Sequence, residues 1–397
     1  MYKFAAVLIL AAAPAFAEDT TTSALIAKQG ISATVTELQG QPESADRDIA
    51  LAASLFLQGI QQGYQARWKI GSTQPMVPFP ILGSELPHNP QPEPMKGSFL
   101  NDLATDMIGS MQAAREVLPS EDAALVLKLD DLWLDVDGDG KRNPQEDLTA
   151  LIGLPVTQET PPVIRFDTAD LQWMRAYTHL VEGLSHTVLA FNPESAITQT
   201  LALNAEVERQ RNEVLKSGSG DGMEAYDSMN MYDMQFGSIA DKLAIIIQTL
   251  RNQPDAEEVK LAAENFNQMI AANRKFWLLV AAETDDDREW IPNDRQHAAL
   301  GFELPPGTGP SWLGVLDDGE QILSGQRLIP YWRFAPGYGI NLKAWIDDPA
   351  PVDLVGWIQG SAALPYTQQG DTITSENWSR FAELMMGREF LFMLMFN

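Results

Sequence analysis

Residues 135 to 146 read Asp-Val-Asp-Gly-Asp-Gly-Lys-Arg-Asn-Pro-Gln-Glu. This run places oxygen-bearing side chains at loop positions 1, 3, 5, 9 and 12 and a glycine at position 6. Calcium is a hard cation that takes six to eight oxygens at roughly 2.3 to 2.6 Å, so a short loop must turn several carboxylates inward together. Asp135, Asp137 and Asp139 can do so from alternate positions, the main-chain carbonyl of Lys141 adds a fourth direction, and Asn143 can hold a ligating water. Glu146 closes the set with two carboxylate oxygens, and Gly140 removes the steric cost of the sharp turn. Four carboxylates in one loop repel each other, so order in the loop is expected to depend on a cation.

The elements expected to position this loop are helices. Ser120-Glu-Asp-Ala reads as the start of a helical segment with Leu125, Leu129 and Leu132 or Trp133 on one side, running straight into Asp135. On the exit side Asn143 is a candidate cap, Pro144 suits the first helical position, and Glu146 falls where a capping-box acid would. From Ser120 to Ile152 the segment resembles the EF-hand calcium loop, in the lone version found in bacterial secreted proteins. The resemblance covers about 30 residues and implies a helix-loop-helix with Asp135, Asp137, Asp139, Lys141, Asn143 and Glu146 as ligands. Arg142 stands at position 8, where paired EF-hands carry an aliphatic residue, and Asp130 and Asp131 occupy incoming-helix positions that are usually apolar. The implication is a lone structural loop, not a regulatory pair.

Other chemistry-bearing groups are sparser. His179, Glu182 and His186 share a helical face, with Gln172 and Arg175 extending it, and could serve a transition metal or acid-base work. The plainer account is a solvated polar stripe opposite Met174, Tyr177, Val181, Leu184 and Val188. Met229, Met231 and Met234 offer soft thioethers suited to Cu(I), although methionines also cluster as adaptable apolar contacts. The acid run Glu283 to Glu289 is either a weak second cation site or a solvated helix end. The nucleophile and phosphate-loop motifs Gly-x-Ser-x-Gly, Ser-x-x-Lys, His-Glu-x-x-His and Walker A are missing. Trp312, Tyr331, Trp332, Tyr338, Trp345, Trp357 and Tyr366 could line a sugar or peptide groove, but such rings more often fill a core.

Residues 1 to 17 read as a secretory signal: Lys3, an apolar run from Phe4 to Phe16, and Ala15-Phe16-Ala17 as a cleavage site. The run is too short to span a bilayer. A periplasmic or secreted location follows, and the absence of cysteine means a core without disulfides. The net charge of −27 disfavours nucleic acid and anionic membranes and favours divalent cations and basic or neutral partners, such as an envelope protein or polymer.

The fold expected is mainly α: a multi-helix bundle or array with one EF-hand-like helix-loop-helix and a small irregular, hairpin-containing region near the C-terminus. Amphipathic periodicity predicts helices over 44–67, 99–118, 167–191, 196–216, 238–251 and 255–283, and a last one from Ser375. Seven prolines between Gly71 and Gly97 predict an irregular strap. Ser217-Gly-Ser-Gly-Asp-Gly222 reads as a flexible joint within 216–224, separating a helical region 18–215 from a second, 225–397, or else as a surface excursion of one domain. Trp312 to Leu316, Asp317-Asp318-Gly319 and Gln321 to Leu323 read as a hairpin. The apolar end, Phe390 to Phe396, is expected to be buried rather than to enter a membrane. Asp46 and Gly59 have the same 13-residue spacing as Asp170 and Gly183, a faint sign of duplication.

Overall fold

The computed structural model describes residues 21–73, 79–120, 122–152, 162–217, 236–389 and 392–393. These residues are mainly helical, with twelve α-helices and two small antiparallel sheets, as expected. The expected signal segment (residues 1–17), Met229, Met231, Met234 and the expected joint beyond Ser217 lie outside the described residues.

Helices α1 (Thr21–Gln39), α2 (Ala45–Lys69), α3 (Phe99–Glu116), α4 (Leu148–Leu151), α5 (Thr168–Phe191) and α6 (Glu194–Ser217) come first along the chain. They are followed by α7 (Ser238–Leu250), α8 (Ala256–Ala282), α9 (Thr308–Leu323), α10 (Leu342–Asp347), α11 (Leu354–Gln359) and α12 (Glu376–Met385). Strand β1 (Leu125–Lys128) pairs antiparallel with β2 (Val163–Phe166), Leu125 opposite Phe166; β3 (Ile329–Pro330), β4 (Tyr338–Ile340) and β5 (Thr367–Gln369) form the other sheet.

Side-chain spacing explains most of the helices. The apolar residues Ile49, Ala53, Phe56, Ile60 and Tyr64 of α2 recur every three or four positions and are buried. Capping fixes where α5 starts: the Asp167 carboxylate accepts from Ala169 N–H while Asp170 reaches back to the Asp167 N–H at 3.1 Å. Asp255 caps α8 by accepting from Glu257 and Glu258 N–H groups.

The core is built where α5 packs along α8 and α3, and α2 along α3 and α1. Two glycines allow close crossings. A Cβ on Gly59 would stand 2.6 Å from Cβ of Ser110 on α3, and one on Gly183 would stand 2.8 Å from the Phe266 ring on α8. That common demand accounts for the matching glycines of the suspected repeat, but Asp46 is exposed while Asp170 is buried. Among the described residues the main buried cluster runs from Ile26 to Phe392 and draws on helices from both sides of the proposed joint, with two small clusters around Ala190 and Ile340 beside it. Phe392 is buried against the rings of Trp277, Trp312 and Phe381, so this part of the apolar end packs inward as expected.

The Pro-rich strap holds one 3-10 turn, Pro80–Leu82, and is otherwise irregular where described. Its carbonyls need donors, and Arg67 supplies them: the fully buried guanidinium donates to Leu82, Ser84, Ser72 and Thr73 carbonyl oxygens.

Two expectations fail. The segment entering the calcium-type loop is not a helix: Leu125 and Leu127 are buried in alternation with Val126 and Lys128, the period-two pattern of β1, and a 3-10 turn (Leu129–Asp131) follows. Leu125 and Leu129 suit either period, and pairing with β2 decides between them. The hairpin at 312–323 is also overturned, because these residues form α9. Trp312 and Leu316 are one turn apart and buried, Asp317 and Glu320 both bind Arg274 at 2.7 Å, and the Asp-Asp-Gly turn signal is overridden by this packing.

Candidate metal centre

The loop from Asp135 to Glu146 is held by its ends. Leu134 N–H donates to Glu146 O at 2.9 Å and Leu148 N–H to Leu132 O at 3.0 Å, so entry and exit run side by side around a Trp133–Asp147 bridge. Helix α2 grips the start from outside. Buried Gln61 accepts from Asp135 N–H at 3.0 Å, and Gln65, one turn on, donates to Asp135 O at 2.6 Å. Helix α1 grips the residues just before it, where Trp133 Nε1 donates to Ile26 O at 2.8 Å. The Trp133 ring lies against Gly30, which has φ 79° and kinks α1; a Cβ there would come within 3.1 Å of the ring.

Inside the loop, side-chain oxygens fold back on backbone N–H groups. Gly140 N–H donates to Asp135 Oδ2 at 3.2 Å, Asp139 N–H to Asp137 Oδ1 at 3.0 Å and Lys141 N–H to Asp139 Oδ1 at 2.7 Å. Gly138 and Gly140 take φ of 75° and 71°, left-handed values that let the chain turn twice within three residues. The result brings one carboxylate oxygen each from Asp135, Asp137 and Asp139 within 4.8 Å of one another. Asp135 Oδ1 is buried without a hydrogen-bond partner. A buried, unpaired carboxylate oxygen is costly, and a cation relieves that cost.

The other expected ligands are placed differently. Glu146 is fully buried and its carboxylate accepts from Val136 N–H at 2.8 Å, Asp137 N–H at 3.3 Å and Asn143 N–H at 3.2 Å. Burial pushes its carboxyl above the ordinary range and these N–H groups pull it back. Asn143 Oδ1 accepts from Gln145 N–H at 3.0 Å and closes a turn; it does not cap the exit helix, which starts only at Leu148 after Asp147, so Pro144 and Glu146 lie outside that helix. The Lys141 side chain is exposed, with Nζ 3.8 Å from Asp139 Oδ2. Arg142, at the position where a partner loop would pair, binds Asp147 at 2.6 Å and the Asp130 carbonyl instead. Gln61, Gln65 and Gly30 are not among the residues the sequence marks for the site, and Trp133 is marked only as an apolar position before it. No local pattern marks them, because each meets the loop through a contact between residues 70 or more apart in the chain.

The second candidate, the His179 stripe, is not solvated. Glu182 and His186 are buried between α3, α5 and α8. Glu182 accepts from Arg115 at 2.5 Å and Gln112 at 2.7 Å; His186 Nδ1 meets Glu258 at 2.7 Å; His179 Nδ1 meets Asn265 at 2.7 Å. Burial works against the charge of Glu182, but bonds from His186, Gln112 and Arg115 outweigh it and hold the carboxyl down at about 2. The same contest at His186 ends with its pKa raised by Glu182 and Glu258. Arg175 is lowered by burial and by Arg115. Every acid and base of the stripe except Arg175 has a named internal partner, and the arrangement ties three helices together.

The acid run divides its charges. Asp286 binds His297 at 2.6 Å, Glu283 accepts from Gln296 at 3.1 Å, and among the described residues the run gathers no triad like that of the loop. Glu289 is buried, and burial followed by Glu283, Asp167 and Asp285 pushes its carboxyl up to about 7 despite the Asp287 N–H at 2.8 Å. Asp170 is pushed well up, chiefly by burial, and Glu283 is raised, again chiefly by burial. An acid with a raised folded pKa binds more protons folded than unfolded, so its contribution falls as pH rises from the unfolded value, 4.5 for Glu289, through about 7. Glu289→Gln keeps an acceptor for Asp287 N–H and removes that titration. Melting curves from pH 4.5 to 8 are expected to show a shallower decline for the variant, with a higher melting temperature than the parent at pH 8; superimposable profiles would discard the assignment.

No protein-family model, curated protein or solved structure matches the chain.

Proposed function

We propose that residues 135 to 146 bind one calcium ion and that the ion is structural, in an exported binding or scaffold protein of a bacterial envelope. The observation that carries the reading is the aspartate triad with the buried, unpartnered Asp135 Oδ1. Hard carboxylate oxygens with no imidazole or sulfur among them suit calcium or magnesium, and the irregular loop suits the larger, geometrically tolerant ion. Asp135, Asp137 and Asp139 would supply side-chain oxygens, Lys141 its carbonyl, Asn143 a water and Glu146 the closing carboxylate. Calcium would neutralise the loop's charge.

A structural role follows from what the loop joins. Asp135 is fastened to α2 on both its N–H and its carbonyl, and Trp133 to α1. Exit residue Leu148 pairs with Leu132, beside β1. Fixing the loop therefore fixes the corner between α1, α2 and the β1–β2 pair. Export is supported by the sequence of residues 1 to 17. No described helix is long and apolar enough to cross a membrane. An alternative reading, a secreted hydrolase or metal-dependent enzyme using His179, Glu182 and His186, has less support because Glu182 and His186 are buried among packing partners.

Melting the protein with calcium and with a chelator tests the role. At free calcium about 100 times the dissociation constant the bound ion adds about 2.7 kcal/mol, so the melting temperature is expected to rise by several degrees. Magnesium at the same concentration is expected to do less. Equal melting in calcium and chelator would remove the structural role.

A further inference from the structure

Helix α7 buries none of its residues, although it is one of the most apolar segments of the chain. It lies along α6, with Asn204 donating to Asp241 at 2.9 Å, and its C-terminal end is tied to the body by Val352 N–H to Leu250 O at 2.7 Å. Asp241, Ala244 and Ile245 are half-buried, and their i, i+3, i+4 spacing marks the α6 side. On the opposite side Ile239, Leu243, Ile246 and Ile247 are 57, 53, 46 and 36 % exposed. Ile239, Leu243, Ile246 and Leu250 follow a four-three-four spacing, the seam of a coiled coil, and the flanking Ala240, Lys242, Ile247 and Thr249 carry one charge between them.

We propose that a second copy of this chain docks on this face, α7 against α7, antiparallel about a two-fold axis. Three observations favour that occupant. The spacing reads identically in both directions, so antiparallel pairing seats Leu243 against Ile246 twice and Ile239 against Leu250 twice, an isologous contact. The seam is almost uncharged in a chain of net charge −27, so it is a place where two such chains can meet without facing acids. Antiparallel pairing also moves the two points where α7 joins its acidic body apart by the helix length, about 20 Å, beyond the screening length of about 8 Å at physiological salt. A one-helix seam is small, so the dimer is weak and concentration-dependent.

Cysteine cross-linking tests this cleanly because the chain has no cysteine of its own. Leu243→Cys and Ile246→Cys, both at exposed positions, are mixed and oxidised mildly. The mixed pair is expected to form disulfide dimers about tenfold faster than either variant alone, because a disulfide needs Cα atoms within about 7 Å. Ile239→Cys alone is expected to stay monomeric. Sedimentation equilibrium of the parent chain should show a reversible dimer that Leu243→Asp abolishes. A parent that stays monomeric to about 200 μM, far above the range of specific interfaces, overturns the proposal. So does self-linking of Ile239→Cys at the mixed-pair rate, which would mean parallel pairing, or a monomer whose α7 binds phosphatidylcholine vesicles or is shielded by residues 218–235 of its own chain.

Discussion

Glu182→Ala is expected to destabilise the protein by about 3 to 5 kcal/mol, the cost of breaking a buried ion pair from one side. Arg115 would keep its charge between α3 and α5 after losing the carboxylate 2.5 Å away, and Gln112 and His186 would lose an acceptor with it. The measurement is urea denaturation at pH 6. That pH matters because the two ends of the network titrate in opposite senses. Glu182, held down at about 2, gives stability that is present above 4.5 and lost as pH falls toward 2. His186, whose pKa is raised, gives stability that is present below 6.5 and lost as pH rises through its folded value. The Arg115→Met, Glu182→Leu double variant should recover most of the loss, since apolar replacement of both partners leaves no uncompensated charge. A single-variant cost below about 1 kcal/mol would place the pair among surface ion pairs, which contribute little.

Trp133→Ala is the second large effect, expected to cost about 3 to 5 kcal/mol for a buried aromatic. Its consequence reaches beyond stability. The indole joins Ile26 of α1 to the entry of the loop, and its ring fills the space that Gly30 leaves open. Without it the entry to the loop loses its tie to α1 and only the α2 grip on Asp135 remains, so calcium affinity is expected to fall together with stability. Gly30→Ala should reproduce part of both effects, because the added carbon crowds the ring from the other side and the backbone φ of 79° is strained for any residue with a Cβ. Full stability and affinity in Trp133→Ala would show that the loop stands independently of α1.

How much of this was readable beforehand depends on the distance over which the information is local. The twelve loop residues announce their oxygens and glycines by spacing alone, and the structure brings Asp135, Asp137 and Asp139 together as that spacing implies. The long helices were legible for the same reason: α2, α3, α5 and α8 repeat apolar residues at helical intervals, and Asp167 and Asp255 mark two starts. Short apolar runs were not. Leu125 and Leu129 suit both periods, Leu127 only the strand and Leu132 only the helix, and pairing with β2, some 40 residues later, makes 125–128 a strand. Asp317-Asp318-Gly319 carries a strong turn signal that packing on α8 overrides. Gln61 and Gln65 stand more than 69 residues from the backbone they hold, and the stripe on α5 meets its partners on α3 and α8. No local pattern could have shown either contact, and the stripe's polarity alone suggested solvent.

Calcium titration by calorimetry, on the purified chain beside an Asp135→Ala, Glu146→Gln double variant, tests the central claim most directly. The account predicts one saturable site per chain in the parent and heats indistinguishable from dilution in the variant, both proteins remaining folded by circular dichroism. Equal heats for the two folded proteins would contradict it.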